Sequence, residues 1–140
     1  MGRILRNIIG VLAGLVIGSM VNMGIIMIGP SLIPPPEGVD MTTMEGLKEG
    51  MSLLSPRHYI MPFLAHALGT FTGAFLAAMI AVTYRFQWAI LIGFIFLAGG
   101  ITNIYLIPVP VGFAMIDSGL AYIPFAYLGA RLALRRTNSL

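Results

Sequence analysis

Four long apolar stretches, separated by short polar segments, dominate the hydropathy pattern of the chain. They cover about residues 7–29, 59–84, 87–107 and 111–130. A helix needs roughly 20 residues to cross about 30 Å of hydrocarbon, so each stretch is long enough to span a membrane. The pattern predicts an all-α fold, a bundle of four transmembrane helices that forms a single domain over residues 1–140.

The first stretch has an alternative interpretation as a secretory signal peptide, because Arg3 and Arg6 precede its apolar core. That core continues through Ile28. The apolar core of a signal peptide has about 7–15 residues, which is much shorter. We therefore expect an uncleaved first helix.

The one sizeable loop, residues 30–57, carries most of the polar residues. A run of three prolines from Pro34 requires an extended start. Thr42 and Glu45 then have the spacing of a capping box. Apolar residues recur after them at helical intervals: Met44, Leu47, Met51 and Leu54. We expect a short amphipathic helix that lies on the outer membrane surface or covers the bundle.

The placement of Lys and Arg predicts the orientation. Residues 30–57 hold Lys48 and Arg57 together with four carboxylates, Glu37, Asp40, Glu45 and Glu49. The other side of a four-span chain carries six arginines: Arg3, Arg6, Arg85, Arg131, Arg135 and Arg136. Since cytoplasmic loops are enriched in Lys and Arg, both termini should be cytoplasmic and residues 30–57 should be outside.

Composition supports the membrane class and narrows the chemistry. The chain is 58% hydrophobic and only 9% charged, far from the average of globular domains. It has no cysteine, which excludes thiol-disulfide chemistry and Cys-based zinc or iron–sulfur sites. The net charge is +3, but the basic residues flank apolar runs instead of forming a stripe. We expect a lipid bilayer as the surroundings and no nucleic-acid partner.

Small residues recur every four positions in the first two stretches. The first has Gly10, Gly14 and Gly18, and the second continues the pattern with Ala65, Gly69, Gly73, Ala77 and Ala81. This spacing lets membrane helices approach closely. Two interpretations stay open: the rows pack on each other within one subunit, or one of them mediates a homo-oligomer or a larger membrane complex.

Asp117 is the only carboxylate inside an apolar stretch, where an ionisable group costs a few kcal/mol and often marks a function. A rise of about 1.5 Å per residue places one polar group from every helix at a similar depth in the outer half of the bilayer. The candidate site comprises Asp117, His66, Asn22, Asn103, Thr70 and Tyr122, with Tyr105 nearby. We expect the inward-facing members to form one hydrogen-bonded cluster.

Two functions fit this polar layer. A carboxylate beside an imidazole handles protons near neutral pH, which indicates a site that binds or transports a small solute, an ion or a proton. Alternatively, the polar groups only hold the helices together, and the chain is a structural or accessory subunit of a larger membrane complex.

The sequence gives little support for a bound cofactor or for a catalytic site. Copper(I) could use soft ligands from Met20, Met23, Met27, Met41, Met44, Met51, His58 and Met61, but methionine is also ordinary filler in apolar helices. Two distant histidines are too few for zinc or for haem held between two imidazoles. Ser118, Asp117 and His66 match a triad only in composition, and no catalytic motif is present. We expect no cofactor, no metal and no enzyme.

Part of the second stretch resembles small four-span proteins of bacterial inner membranes: Pro62-Phe63-Leu64-Ala65-His66-Ala67-Leu68-Gly69-Thr70. The resemblance implies a location in the bacterial inner membrane and transfers no activity, because those proteins share no assigned one. The chain is also similar in size to the small multidrug-resistance transporters. It lacks their acidic residue in the first helix, so it is not assigned to them.

Overall fold

The computed structural model describes residues 2–138, which consist of helices and their connections without a β-strand. The α-helices are α1 (Arg3–Leu32), α2 (Met44–Gly50), α3 (Ile60–Ile80), α4 (Arg85–Leu106), α5 (Val111–Leu120) and α6 (Ile123–Asn138), with 3-10 helices at Met51–Leu53 and Pro56–Tyr59. Four helical segments of this part of the chain are long and apolar enough to cross a membrane, α5 and α6 together forming the fourth. The prediction of an all-α fold with four candidate spans is confirmed.

The second span ends earlier than predicted, at Ile80 instead of Tyr84. Asn7 of α1 holds the turn that follows, because its Oδ1 accepts from the backbone N–H groups of Val82 (2.9 Å) and Thr83 (3.3 Å). Its Nδ2 donates to the Thr83 hydroxyl at 2.7 Å. Tyr84 then adopts a left-handed φ of 51° just before α4. The apolar pattern runs through this turn, so hydropathy alone could not locate it.

Two arginines close the carboxyl end of α3. Arg6 Nε donates to the carbonyl oxygen of Ile80 at 3.0 Å, and Arg85 Nε donates to that of Ala78 at 2.6 Å. The last carbonyls of a helix have no partner within the helix, and cations are favoured there. These contacts explain why α1 begins at Arg3, before the predicted residue 7: its first turn is held against α3.

Helix α2 begins one residue later than the predicted capping box implies. Thr43 is its N-cap, and the Thr43 hydroxyl accepts from the backbone N–H of Gly46 at 3.1 Å. The predicted pairing of Thr42 with Glu45 is wrong, because the Thr42 hydroxyl donates to Asp40 at 2.6 Å. This bond and a second one from the Thr42 backbone N–H keep the pKa of Asp40 below its usual value.

The predicted apolar face of that helix is also shorter than expected. Helix α2 ends at Gly50, so Leu54 lies beyond it in an extended conformation. Met51 is buried in the following 3-10 helix, whereas Met44 is 44% exposed. Residues 33–59, called the connecting segment below, therefore form a folded cover rather than one continuous amphipathic helix.

The two rows of small residues face each other within the chain. A Cβ added at Gly14 would lie 2.5 Å from the carbonyl oxygen of Gly73, and one added at Gly18 would lie 2.7 Å from that of Gly69. Gly10 is similarly close to the backbone of Ala77. Because the residue numbers rise in α1 as they fall in α3, the two helices are antiparallel with their backbones in contact.

Helix α3 is the centre of the bundle, since α1, α4 and α6 all pack against it. The shared core of α3, α4 and α6 is built almost wholly from alanines, with Ile92 as its largest buried side chain. Large apolar side chains lie mostly on the outside, and many of them are more than half exposed, such as Val16 and Phe94. Close packing of small residues inside and large apolar ones outside suits a lipid environment.

The fourth span is interrupted next to Asp117. Helix α5 ends at Leu120 and α6 begins at Ile123. Pro124 explains the interruption, because it has no N–H to donate to the Leu120 carbonyl and its ring would collide with that carbonyl. Helical hydrogen bonds continue on either side of the break. The Ala121 N–H donates to the backbone carbonyl oxygen of Asp117 at 2.9 Å, and the Ala126 N–H donates to that of Tyr122 at 2.8 Å.

Candidate functional site

Asp117 forms a buried polar cluster with His66 and Tyr122. The aspartate is 3% exposed. His66 Nδ1 lies 2.9 Å from each of its carboxylate oxygens. The Tyr122 hydroxyl donates to Oδ2 at 3.0 Å. The His66 and Tyr122 rings stack with their centroids 5.5 Å apart. Both oxygens of the carboxylate are thus satisfied by side chains from two different spans.

The interrupted helix makes the contact between Asp117 and Tyr122 achievable. In a regular α-helix, residues five positions apart point about 140° away from each other. Tyr122 lies in the break at residues 121–122, and its side chain there reaches the aspartate. Gly100 of α4 provides the space, since a Cβ there would collide with the Tyr122 hydroxyl. The cluster therefore depends on Pro124 and on a glycine in a neighbouring helix.

The geometry favours one tautomer of His66. Beside an ionised carboxylate, Nδ1 is the nitrogen that carries the proton. Nε2 makes no hydrogen bond to another residue within 2–138. In the neutral ring Nε2 is an acceptor, and the pair of His66 and Asp117 carries a net charge of −1. A second proton on the ring makes the pair neutral.

A cavity of about 320 Å³ lies between the cluster and the connecting segment. We call it the apolar cavity. Its wall includes side chains of all four spans and of the connecting segment, and most of them are aliphatic, aromatic or methionine. The polar side chains in the wall are Asn22, His58, Tyr59, His66, Asn103 and Asp117. No Lys or Arg of the described chain lines it.

A second cavity of about 370 Å³ adjoins the first, because Asn22, His66, Gly100 and Asn103 line both. We call it the polar cavity. It reaches the exterior between α1 and α4, where Asn103 and its neighbours Gly99 and Thr102 are exposed.

Thr70, which also lines the polar cavity, is 1% exposed, and its hydroxyl has no hydrogen-bond partner in the described chain. The Oδ1 atom of Asn22 is buried without a partner as well. Leaving such buried atoms unsatisfied costs about 1–3 kcal/mol each, so the polar cavity favours an occupant that hydrogen-bonds.

The six candidate residues surround these two cavities, but the expected single network does not form. Asp117, His66 and Tyr122 are hydrogen-bonded to one another, whereas Asn22, Thr70 and Asn103 make no bond to them. The expectation of one cluster is wrong on that point. Equal depth along four helices brings side chains to the same layer, but the cavities keep them apart. Tyr105 is 86% exposed and lies outside the site.

His58, which the sequence suggested only as a copper ligand, is a further residue of the site. It is 7% exposed, lines the apolar cavity and accepts at Nδ1 from the Ser55 N–H at 3.0 Å. Its Nε2 donates to the carbonyl oxygen of Pro34 at 3.1 Å, which ties the two ends of the connecting segment together. The spacing of Ser55 and His58, three positions as in a capping box, was the available signal.

Some of the methionines named as possible copper ligands lie at the site. Met23, Met41, Met51 and Met61 line the apolar cavity. Within residues 2–138, no three His, Asp or Glu side chains come close enough to hold one metal ion.

No protein-family model, no curated protein and no solved structure matches this chain.

Proposed function

We propose that this chain is a multi-pass membrane transporter that carries a small solute in exchange for a proton at Asp117. The observation behind the proposal is a buried carboxylate that contacts a histidine on another span and borders two adjoining cavities. Ionisable groups inside membrane proteins commonly mark substrate or proton pathways. A purely structural polar contact would not require cavities of several hundred cubic ångströms beside it.

The exchange follows from the charge of the pair. With neutral His66, the site carries a charge of −1 and attracts a cation or a hydrogen-bond donor. Protonation of the ring neutralises the pair and weakens that attraction. Solute and proton therefore compete for the negative charge of the Asp117–His66 pair, which is the minimal requirement for coupling their movement.

The different exposure of the two cavities supports the same proposal, because one is open and the other is covered. The polar cavity reaches the exterior between α1 and α4, whereas the connecting segment covers the apolar cavity. We propose that this segment is outside and both termini are cytoplasmic, because Arg6 and Arg85 lie at the opposite end of α3. The resemblance of residues 62–70 to bacterial proteins makes the inner membrane the proposed location.

The alternative function, an accessory subunit of a larger complex, would use the small-residue rows as its docking faces. In the structure, the rows of α1 and α3 already contact each other. Purification in mild detergent separates the two proposals. An accessory subunit co-purifies with a larger partner in constant ratio, whereas a transporter is active alone.

The transport proposal is tested with the purified chain in liposomes that contain a pH-sensitive dye. Sodium, potassium, ammonium and small organic amines are added outside one at a time. At least one should change the internal pH faster than in protein-free liposomes. Asp117→Asn should remove that change while the protein keeps its elution volume in detergent.

Glu49→Gln is the matched control, because it neutralises an exposed carboxylate on α2. It should transport normally. Indifference of the internal pH to every added solute would overturn the proposal, as would normal exchange by Asp117→Asn.

A further inference from the structure

The polar groups around the apolar cavity differ in whether they are free to bind a ligand. His58 uses both ring nitrogens within the connecting segment, and the Tyr59 hydroxyl donates to Met51. At the inner end, the Asp117 carboxylate, Nε2 of neutral His66 and the unpartnered Oδ1 of Asn22 are acceptors, beside the amide groups of Asn22 and Asn103. A ligand that reaches this end must supply hydrogen-bond donors, and a positive charge would strengthen each bond.

The rest of the wall suits an apolar body. Tyr59 and Phe113 line the cavity with their ring centroids 4.8 Å apart, and Met23 and Met61 line it as well. Aromatic faces attract cations, and methionine adapts to irregular shapes. No Lys or Arg of the described chain lines either cavity, so no fixed positive charge in the wall opposes a cation.

We propose that the apolar cavity binds a protonated amine with a compact apolar body, with its ammonium group directed at Asp117. The inference rests on the proposed function, since it names the class of solute that is exchanged. A cavity of about 320 Å³ accommodates one ring or a short branched chain. Because the wall offers few oxygen atoms, a bare metal cation would find an incomplete coordination shell.

Proton competition gives this site a pH dependence with a defined sign. The titratable groups around His66 are Asp117 of α5 and Tyr122 at the helix break, which contact it, with His58 and Tyr59 in the same cavity wall. The parts of α1 and α4 that line the cavities contribute only neutral side chains. A proton added to the Asp117–His66 pair removes the negative charge that attracts the ammonium group, so amine affinity should fall as pH decreases.

The binding test compares two probes of nearly equal shape, 2-phenylethylammonium and 2-phenylethanol. Ligand binding stabilises the purified protein in detergent by RT ln(1 + L/Kd), where L is the ligand concentration, so the rise of the melting temperature with ligand concentration yields an apparent affinity for each probe. The charged probe should bind the unmodified protein at least about tenfold more tightly, because it forms charge-assisted bonds to a buried carboxylate. Asp117→Asn should remove this preference, and Glu49→Gln should retain it.

A second variant separates a specific role of His66 from general disruption. His66→Gln keeps an N–H group for Asp117 but has no basic ring nitrogen that can take up a proton. It should bind 2-phenylethylammonium with an affinity that no longer changes between acidic and neutral pH. An unchanged pH profile in His66→Gln would remove His66 from the mechanism and overturn the competition.

The outcomes also distinguish this inference from the proposed function. Equal affinity for the two probes, or no binding of either, would overturn the amine site. If sodium, potassium or ammonium then still exchanged for protons in liposomes, the transport proposal would stand with a different solute. If the amine bound selectively but no solute moved protons, the transport proposal would fail while the cation site remained.

Discussion

At the scale of single residues, burial of Asp117 is the feature that organises the site. Its two oxygens accept hydrogen bonds from His66 and Tyr122, and the contacts link α3, α5 and the break that follows α5. An isolated carboxylate at this depth would lose several kcal/mol relative to water. The two partners reduce that cost, and Asp117 and His66 both line the apolar cavity.

The contact between Asp117 and His66 can be measured by a double-mutant cycle. Asp117→Asn and His66→Ala should each destabilise the protein, but their effects should not add, because directly interacting residues couple by roughly 0.5–3 kcal/mol. The measurement is thermal stability of both single variants and the double variant in one detergent. As a control, the effects of His66→Ala and Glu49→Gln on stability should be additive. Additivity within about 0.5 kcal/mol for the first pair would contradict the observed distance of 2.9 Å.

At the scale of elements, Pro124 determines where the fourth span breaks and so where Tyr122 points. Pro124→Ala restores a donor for the Leu120 carbonyl, and α5 and α6 should merge into one helix. Tyr122 would then turn about 140° away from Asp117. Removing its hydroxyl by Tyr122→Phe should destabilise the unmodified protein by about 1.5–3 kcal/mol, since the bond is to a charged group.

The same hydroxyl should matter little once the helix is continuous. Tyr122→Phe in the Pro124→Ala background should change the melting temperature by much less than in the unmodified protein. An equal loss in both backgrounds would show that tertiary packing, rather than the proline, holds the break in place.

The contact of α1 with α3 makes a sharp prediction about two glycines of one helix. A Cβ at Gly14 meets the Gly73 carbonyl, whereas a Cβ at Gly24 has no heavy atom within 4 Å. Gly14→Leu should separate the helices and destabilise the bundle by about 1–3 kcal/mol or more, the usual range for overpacking. Gly24→Leu, the same change on the same helix, should keep the native melting temperature and elution volume.

If Gly14→Leu kept the native melting temperature and elution volume in detergent, as Gly24→Leu should, the two rows of small residues would not be packed on each other. Gly73→Leu provides the reciprocal check, because its Cβ would lie 2.7 Å from the Gly14 carbonyl.

At the scale of the whole molecule, the segregation of charge predicts the topology. The arginines at the ends of α1, α4 and α6 favour the cytoplasmic side, and the acidic connecting segment favours the outside. Reporter fusions after Pro36 and after Asn138 should therefore give opposite signals, with the second reporting the cytoplasm. Equal signals at the two positions would contradict a chain that crosses the membrane four times.

Several properties of this protein follow from the sequence alone. Four apolar stretches of about 20 residues are enough to predict four helices, because a backbone in lipid must satisfy its hydrogen bonds within each span. The small-residue rows and the polar residues of each span were visible for the same reason: both depend on periodicity and composition along one helix. The lone position of Asp117 in an apolar stretch marked it as a candidate without knowledge of its neighbours.

Tertiary structure decided what those residues do to each other. The end of α3 at Ile80 depends on hydrogen bonds that Asn7, more than 70 positions away in sequence, accepts from the backbone of the following turn. The bond between Tyr122 and Asp117 requires a helix break and a glycine at position 100. Helical periodicity gives the depth and face of each side chain but not the gap between helices. For that reason the cavities, which separate Asn22, Thr70 and Asn103 from the bonded cluster, could not be derived from the sequence.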